Sequence, residues 1–369
     1  MFQDAHHKVS GIHRSPSFLC ACAPLRETIP LAASLLLLLA AGMAAAENWD
    51  RFRGPNGDGQ SDAAGIPSEW TPADYAWKIS LPGLGHSSPV IWGNRLFVTS
   101  ADNGTGEQIL LAFDARTGAQ LWAERFQSAS HQKHPTNSFA TSTPAVDAEQ
   151  LYVAWMNGRR VTLAAFTHDG AEIWRREVAT LEEHHGFGTS PIVVGDVVCL
   201  ANETNNPDES ALFGLDRTSG DLVWRQSRGT GKTAYATPCL WRSPGGEELL
   251  LMSSMGSGLT AYDPATGEIA WQGFEHDLPD RCVSSPIAGG GLVFISCGSG
   301  NNGMHMIAAS PGENGEPPEE VYRLRQGVPN IPTPVVVGDL LFLWQAMSFR
   351  LRARKEQQSQ EVGIGHEQP

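Results

Sequence analysis

An all-β propeller built from four-stranded blades is the fold this sequence predicts, and three observations carry the prediction. A turn followed by a Trp recurs, with a Gly four residues ahead of the Trp at Gly118/Trp122, Gly170/Trp174, Gly220/Trp224 and Gly267/Trp271. In three of the four copies an Asp opens the turn, at Asp114, Asp216 and Asp263, in the pattern Asp-x-x-Thr/Ser-Gly-x-x-x-Trp. A Ser/Thr-Pro pair also recurs, at Ser88, Thr143, Ser190, Thr237, Ser285 and Thr333, at intervals of 55, 47, 47, 48 and 48 residues. The third observation is composition: 39 Gly and 24 Pro among 369 residues punctuate short apolar runs, which suits many strands joined by tight turns. A period near 48 residues marks a repeated supersecondary unit, and four short runs per unit match a propeller blade. A sandwich lacks such a period, and a helical solenoid would need 3.6-residue patterning that is not there.

The elements follow in chain order. Residues 1–46 read as an export leader: the apolar run LAASLLLLLAAGM from Leu31 to Met43 is short for a membrane span, and Ala44-Ala45-Ala46 suits cleavage before Glu47. The 30 residues ahead of the run are long for such a leader, so either translation starts later or the leader is atypical. Cleavage leaves no transmembrane segment. The propeller is expected over 47–345. Each module begins at its Ser/Thr-Pro, turns at a Gly or polar residue (Gly93-Asn94, Gly195-Asp196), returns in a second apolar run, continues in a third that ends at the Asp turn, and closes with a fourth that ends on the Trp. The Asp side chain caps that last turn and the Gly takes a positive φ. Five modules are complete or nearly so. In the fifth, Ala308 to Gly312 and Tyr322 stand in for the turn and the Trp, and the sixth is recognisable from Thr333 to Trp344. Residues 346–369 are polar and non-repeating and are expected to be a disordered tail on a propeller truncated from a seven- or eight-bladed ring. A closing strand is expected around Tyr75-Ala76-Trp77, whose Trp stands before Pro89 as Trp224 stands before Pro238.

These repeats resemble the PQQ-like, quinoprotein-type β-propeller repeat, and the opening Trp49-Asp50-Arg51-Phe52-Arg53-Gly54-Pro55 resembles the start of exported bacterial proteins of that superfamily. The resemblance covers about residues 48–344. It implies a propeller fold and leaves function open, because the superfamily holds PQQ-dependent alcohol dehydrogenases and non-enzymatic relatives such as the outer-membrane assembly lipoprotein BamB. The dehydrogenases use a vicinal cysteine pair beside the quinone, a calcium held by Glu, Asn and Asp, and a catalytic Asp. After leader cleavage the cysteines are 199, 239, 282 and 297, none adjacent, so PQQ is not expected as a cofactor. Covalent c-type haem is excluded because no Cys-x-x-Cys-His occurs, and no Cys/His spacing suits zinc.

The formal charge of −14 argues against nucleic acid or an anionic membrane as partner. Two strings that suggest chemistry fail. Gly229-Thr230-Gly231-Lys232-Thr233 lacks the first glycine of a phosphate loop, and Asn56-Gly57-Asp58-Gly59 lacks the spaced acids of a calcium loop. Six histidines, His86, His131, His134, His184, His185 and His276, lie in the linkers before the Ser/Thr-Pro marks, which converge on one rim of a propeller channel. One reading makes them a ligand or metal site. The other, which the separation of linkers around a ring favours, is that exposed loops tolerate histidine. Centring the fifth module's first hairpin on Gly289 and Gly290 sets Cys282 opposite Cys297, a disulfide candidate in an exported protein. The function that follows is an exported, periplasmic or cell-envelope scaffold that presents its loops to a protein partner or small ligand. The alternative is an enzyme: a PQQ-dependent oxidoreductase, or a carbohydrate-active propeller using Trp155, Trp241 and Trp344 as a sugar platform.

Overall fold

The computed structural model describes residues 48–229, 231–300, 302–313, 315–345 and 348–353. The expected leader and most of the expected tail lie outside the described residues.

Each module folds as one antiparallel meander. The first blade comprises β1 (Val90–Trp92), β2 (Arg95–Ala101), β3 (Gln108–Asp114) and β4 (Gln120–Phe126). The second comprises β5 (Ala145–Val146), β6 (Gln150–Asn157), β7 (Arg160–Thr167) and β8 (Glu172–Thr180). The third is β9 (Ile192–Val194), β10 (Val197–Asn202), β11 (Ala211–Asp216) and β12 (Leu222–Ser227). The fourth is β13 (Cys239–Arg242), β14 (Glu248–Ser254), β15 (Gly258–Tyr262) and β16 (Ile269–Gly273). The fifth is β17 (Ile287–Gly289), β18 (Leu292–Ser299), β19 (Asn302–Ser310) and β20 (Glu319–Leu324). A sixth sheet holds three strands, β21 (Val335–Val337), β22 (Leu340–Gln345) and β23 (Ser348–Ala353). β23 falls in the stretch expected to be a disordered tail, where it pairs along β22 from Gln345↔Ser348 to Leu340↔Ala353.

Burial explains why the middle strands read as continuous apolar runs. β3 buries six successive residues, and β10 buries all of its own, because blades cover both faces of a middle strand. Outer strands bury one face at most, as in β12, where Leu222 and Val223 are exposed and Trp224 is buried. The core is accordingly a series of seams between successive blades.

The repeated Trp and Gly meet across these seams. Trp174 of the second blade lies on Gly220 of the third, where a Cβ would stand 2.5 Å from the indole, and Gly220 has φ +73°. Only glycine tolerates both the contact and the left-handed backbone. Indole Nε1 then donates to the carbonyl one residue past the start of the neighbour's turn: Trp122 to His168 (2.9 Å), Trp174 to Arg217 (3.0 Å) and Trp224 to Pro264 (3.1 Å). Trp77 does the same to Ala115 (3.1 Å) and packs on Gly118, although residues 75–77 form no strand. Trp271 lies on Gly312, but its Nε1 is buried with no acceptor, because the fifth blade's turn is the eroded one.

The Asp turns form as their sequence requires. Asp216 Oδ1 accepts from Thr218 N (2.9 Å), Ser219 N (2.8 Å) and Thr218 Oγ1 (2.6 Å), and Asp114 and Asp263 hold their turns alike. The disulfide register differs from expectation. Gly290 and Gly291 both take positive φ, 61° and 76°, as a two-residue hairpin loop with primed geometry needs, so Gly289 pairs with Leu292. Cys282 falls in the linker ahead of β17, Cys297 pairs with His305 on β19, and both thiols are buried and free.

Candidate functional site

A meander puts its first and third turns at one end of the blade and its middle loop, with the linker to the next blade, at the other. The two ends of this propeller are built differently.

The chain's own N-terminal segment starts at the turn end of blade one and reaches across the inner strands to the linker-end mark of blade six. Asn48 Oδ1 accepts from Gly93 N (2.8 Å), Trp49 pairs with Ile91, and Asp50 O accepts from Val146 N (2.8 Å). A Cβ at Gly57 would stand 3.1 Å from Cys239 Cβ. Arg53 Nη2 donates to Pro334 O (2.7 Å) and Asp58 O (2.7 Å). The eleven residues from Asn48 to Asp58 thus touch blades one, two, four and six. Arg53 itself has φ 66°, a conformation costing about 1–3 kcal/mol that these bonds hold in place. Arg51 is buried and donates to the carbonyls of Gly54 and Pro55. After the turn at Asn56 the chain bends through Gly57 and Gly59, both at positive φ.

At the linker end the Ser/Thr-Pro marks explain their own spacing. The amide of each donates to the hydroxyl of the next: Ser88 to Thr143 (2.9 Å), Thr143 to Ser190 (3.0 Å), Ser190 to Thr237 (3.1 Å), Thr237 to Ser285 (3.0 Å) and Ser285 to Thr333 (3.0 Å). Beyond this ring the linkers cross-brace one another around His185. Its ring stacks on His134 at 5.9 Å between centroids and 3° between planes, and its carbonyl accepts from Asn137 Nδ2 (2.8 Å). Its Nδ1 lies 2.8 Å from Glu183 Oε1 and 3.4 Å from Arg281 Nη1. His184 Nδ1 meets Gln132 Oε1 (2.9 Å). Residues of three linkers, 127–144, 181–191 and 274–286, meet there.

Of the six histidines, His131, His134, His184 and His185 come together, the first with Nε2 3.5 Å from where a Cβ on Gly186 would be. His86 joins the rim through Ser138 Oγ (2.9 Å), and His276 sits exposed in the turn between Phe274 and Asp277. His131 stands edge-on to Phe139 at 4.9 Å, and burial, aided by Lys133, pushes its pKa down to about 4, so it is neutral at pH 7. Burial raises Glu183, but the bonds from His185, the Thr233 hydroxyl and the His184 amide, with the charge of Arg281, outweigh it and leave the carboxyl below its usual range. Burial, then the Glu183 charge, pushes the Tyr235 phenol up. Glu183, Tyr235 and Arg281 escaped the sequence reading. Their only signal is position, within the same linkers as the histidines.

The residues do not fit PQQ and calcium as the quinoprotein dehydrogenases hold them. No two of the four described cysteines are adjacent in sequence, and among the described residues no group of three or more His, Cys, Asp and Glu side chains is placed to hold a metal ion. The sugar platform also fails. Trp155 is buried against Phe126, Trp241 packs edge-on to Trp271, and Trp344 stands apart as the exposed one of the three.

Among the described residues no helix is long and apolar enough to cross a membrane. No curated protein matches the sequence closely. BamB from Moraxella catarrhalis superposes with a TM-score of 0.51 at 17% identity, over 74% of this chain and 71% of that one. The quinohemoprotein alcohol dehydrogenase ADHIIG from Pseudomonas putida HK5 superposes with a TM-score of 0.55 at 15% identity, over 72% of this chain and 57% of that one. At such identities the likeness is one of fold. The family described as outer membrane protein assembly factor BamB matches residues 70–202 and 106–360, together well over half of the sequence. This chain therefore belongs to that family of PQQ-like β-propellers.

Proposed function

We propose that the protein is a non-catalytic propeller scaffold of the cell envelope, which offers its linker rim to a protein partner. The observation that carries this reading is the asymmetry of the two ends. The inner strands are crossed by the chain's own Asn48–Asp58 segment, which starts at the turn end of blade one and reaches Thr333 and Pro334 of blade six, while the linkers display side chains braced against each other and open to solvent, His185 among them at 46% side-chain exposure. A small ligand of a propeller is enclosed along the central channel, and here the chain's own peptide bridges inner strands of four blades. A rim of pre-braced loops instead suits recognition of a surface, because little ordering remains to be done on binding. Membership of a family described by outer-membrane assembly supports the periplasmic face of the envelope as its place.

The test is in-cell photo-crosslinking in the source organism, with a benzoyl-phenylalanine placed at His184 on the rim or at Thr117 on the opposite turn. A discrete protein adduct from position 184 and none from position 117 is expected. Equal patterns from the two positions, or turnover of an alcohol by the purified protein with added PQQ, calcium and a dye acceptor, would sink the reading.

A further inference from the structure

Stacked blades touch only their neighbours, so a propeller is a linear series until its last blade is fixed to its first. Here the hydroxyl links run from Ser88, ahead of β1, to Thr333, ahead of β21, and β-pairing does not join the two ends. Among the described residues the sixth sheet holds β21, β22 and β23 alone. The bridges that the N-terminal segment makes there, Trp49↔Ile91 and Leu84↔Ala101, both go to blade one. Without a further tie, blade six would be held by a single neighbour and would open first.

The strap from Asn48 to Asp58 makes the connection that the sheets do not. Trp49 and Ile91 exchange both backbone bonds, 2.9 and 2.8 Å, and Asp50 O accepts from Val146 N (2.8 Å), which anchors the strap on blades one and two. Just beyond, the Arg53 guanidinium donates to Thr333 O (3.3 Å) and Pro334 O (2.7 Å), 280 and 281 positions further along the chain. The fork is aimed by the strap itself. Arg53 Nε donates to Gly57 O (3.1 Å), Nη2 donates also to Asp58 O (2.7 Å), and Gly59 N donates back to Arg53 O (2.9 Å). Buried Arg51 binds Gly54 O (3.1 Å) and Pro55 O in the same turn. Four carbonyls from two distant parts of the chain thus meet one planar cation, a set that the five N–H donors of a guanidinium can serve and the three of an ammonium cannot. Thr333 is also the last hydroxyl of the linker series, accepting from Ser285 N (3.0 Å), so the fork grips that series at its free end.

We infer that residues 48–58 are the clasp that closes this propeller, with Arg53 as its fastener on blade six. Its bonds lie outside the three linkers that meet at His185, so the clasp stands whatever the rim binds. The bonds from the guanidinium are charge-assisted and stronger than those between neutral groups, which suits a tie that replaces a whole strand pairing. Losing the fastener frees blade six from blade one and leaves the seams between interior blades intact.

The experiment is hydrogen–deuterium exchange with mass spectrometry on the full chain, comparing the parent with Arg53→Gln, Arg53→Lys and Asn48→Ala. In Arg53→Gln the amides of β21 and β22 should exchange about tenfold faster or more, since two charge-assisted bonds no longer oppose local opening. Those of β10 and β11 in blade three, which the strap does not touch, should change by about twofold at most. Arg53→Lys keeps the charge and loses the fork, and should give the same local pattern at smaller size, which supplies the reading should Arg53→Gln not fold. Asn48→Ala removes the acceptor for Gly93 N at the far end of the strap, and should quicken exchange in blade six by about threefold, because a clasp is only as firm as both its anchors. Unaltered exchange in blade six in the Arg53 variants, acceleration spread equally over all blades, or a blade six indifferent to Asn48→Ala each overturns the inference.

Discussion

The Trp seams and the linker rim are made by the same repeat and obey opposite rules. In a seam the parts recur: a Trp and a Gly on the next blade and, in all but the eroded fifth blade's seam, a carbonyl for the indole N–H, as in Trp174, Gly220 and Arg217. On the rim only the Ser/Thr-Pro hydroxyl recurs, and the side chains above it differ from linker to linker. Glu183 and His185 have no counterparts at the same distance ahead of the next Ser/Thr-Pro mark, where Thr230 and Lys232 stand. A repeated contact is what stacking identical units needs, whereas a site needs residues that differ, so the part of the molecule that departs from its own period is where recognition is to be sought.

Substitutions can break that contrast. The largest effect is expected from Trp224→Ala: Trp224 is buried between blades three and four, and the truncation should cost about 3–5 kcal/mol in urea unfolding. A cost under about 1 kcal/mol would mean that the seams do not carry the fold. Next, Ser190→Ala removes the acceptor for the Thr143 amide, leaves a buried N–H unpaired and should cost about 1–3 kcal/mol by the same measurement. A subtler pair sharpens the argument within the seams. Trp224→Phe loses the bond to Pro264 O, while Trp271→Phe loses none, since its Nε1 has no acceptor. The first should therefore cost about 1 kcal/mol more than the second. The smallest effect concerns the turns. Hydrogen bonds from the Thr218 hydroxyl and the Ser219 and Thr218 amides hold the Asp216 carboxyl down at about 2. Its pKa in the fold lies below that of the unfolded chain, so its contribution is complete above the unfolded carboxylate range and fades as pH falls toward 2. Carboxyl-carbon NMR should show Asp216 titrating near 2, and a midpoint near 4 would mean that the turn is not formed as described.

The five complete blades and the partial sixth were legible because they rest on spacing, and spacing survives in a sequence. The partner of each repeated residue was not. That Ser190 accepts from Thr143 and donates to Thr237 follows from the distance between adjacent inner strands, which periodicity does not encode. The register at Cys282 failed for a local reason. Gly289, Gly290 and Gly291 can all centre a hairpin, and choosing between them depends on which two take positive φ. Trp155 was placed outside the core because it lies away from the repeat's Trp station, yet the end of a middle strand between two blades is as dry as its centre. The histidine rim was found by counting, but Glu183 and Arg281 were not, since single charged residues in linkers look like any others until the fold brings them to His185.

The hydroxyl links that join the linkers all point one way, each amide donating to the blade that follows. Proline comes next in every module and has no amide of its own, so the path cannot branch at that position. Such a one-way series behaves as a zipper: an interior link is protected by neighbours on both sides, and a terminal one by a neighbour on one side only. Deuterium should therefore enter these five amides from the ends inward, reaching Ser190 last, so that the order of exchange would trace the order in which blades come apart.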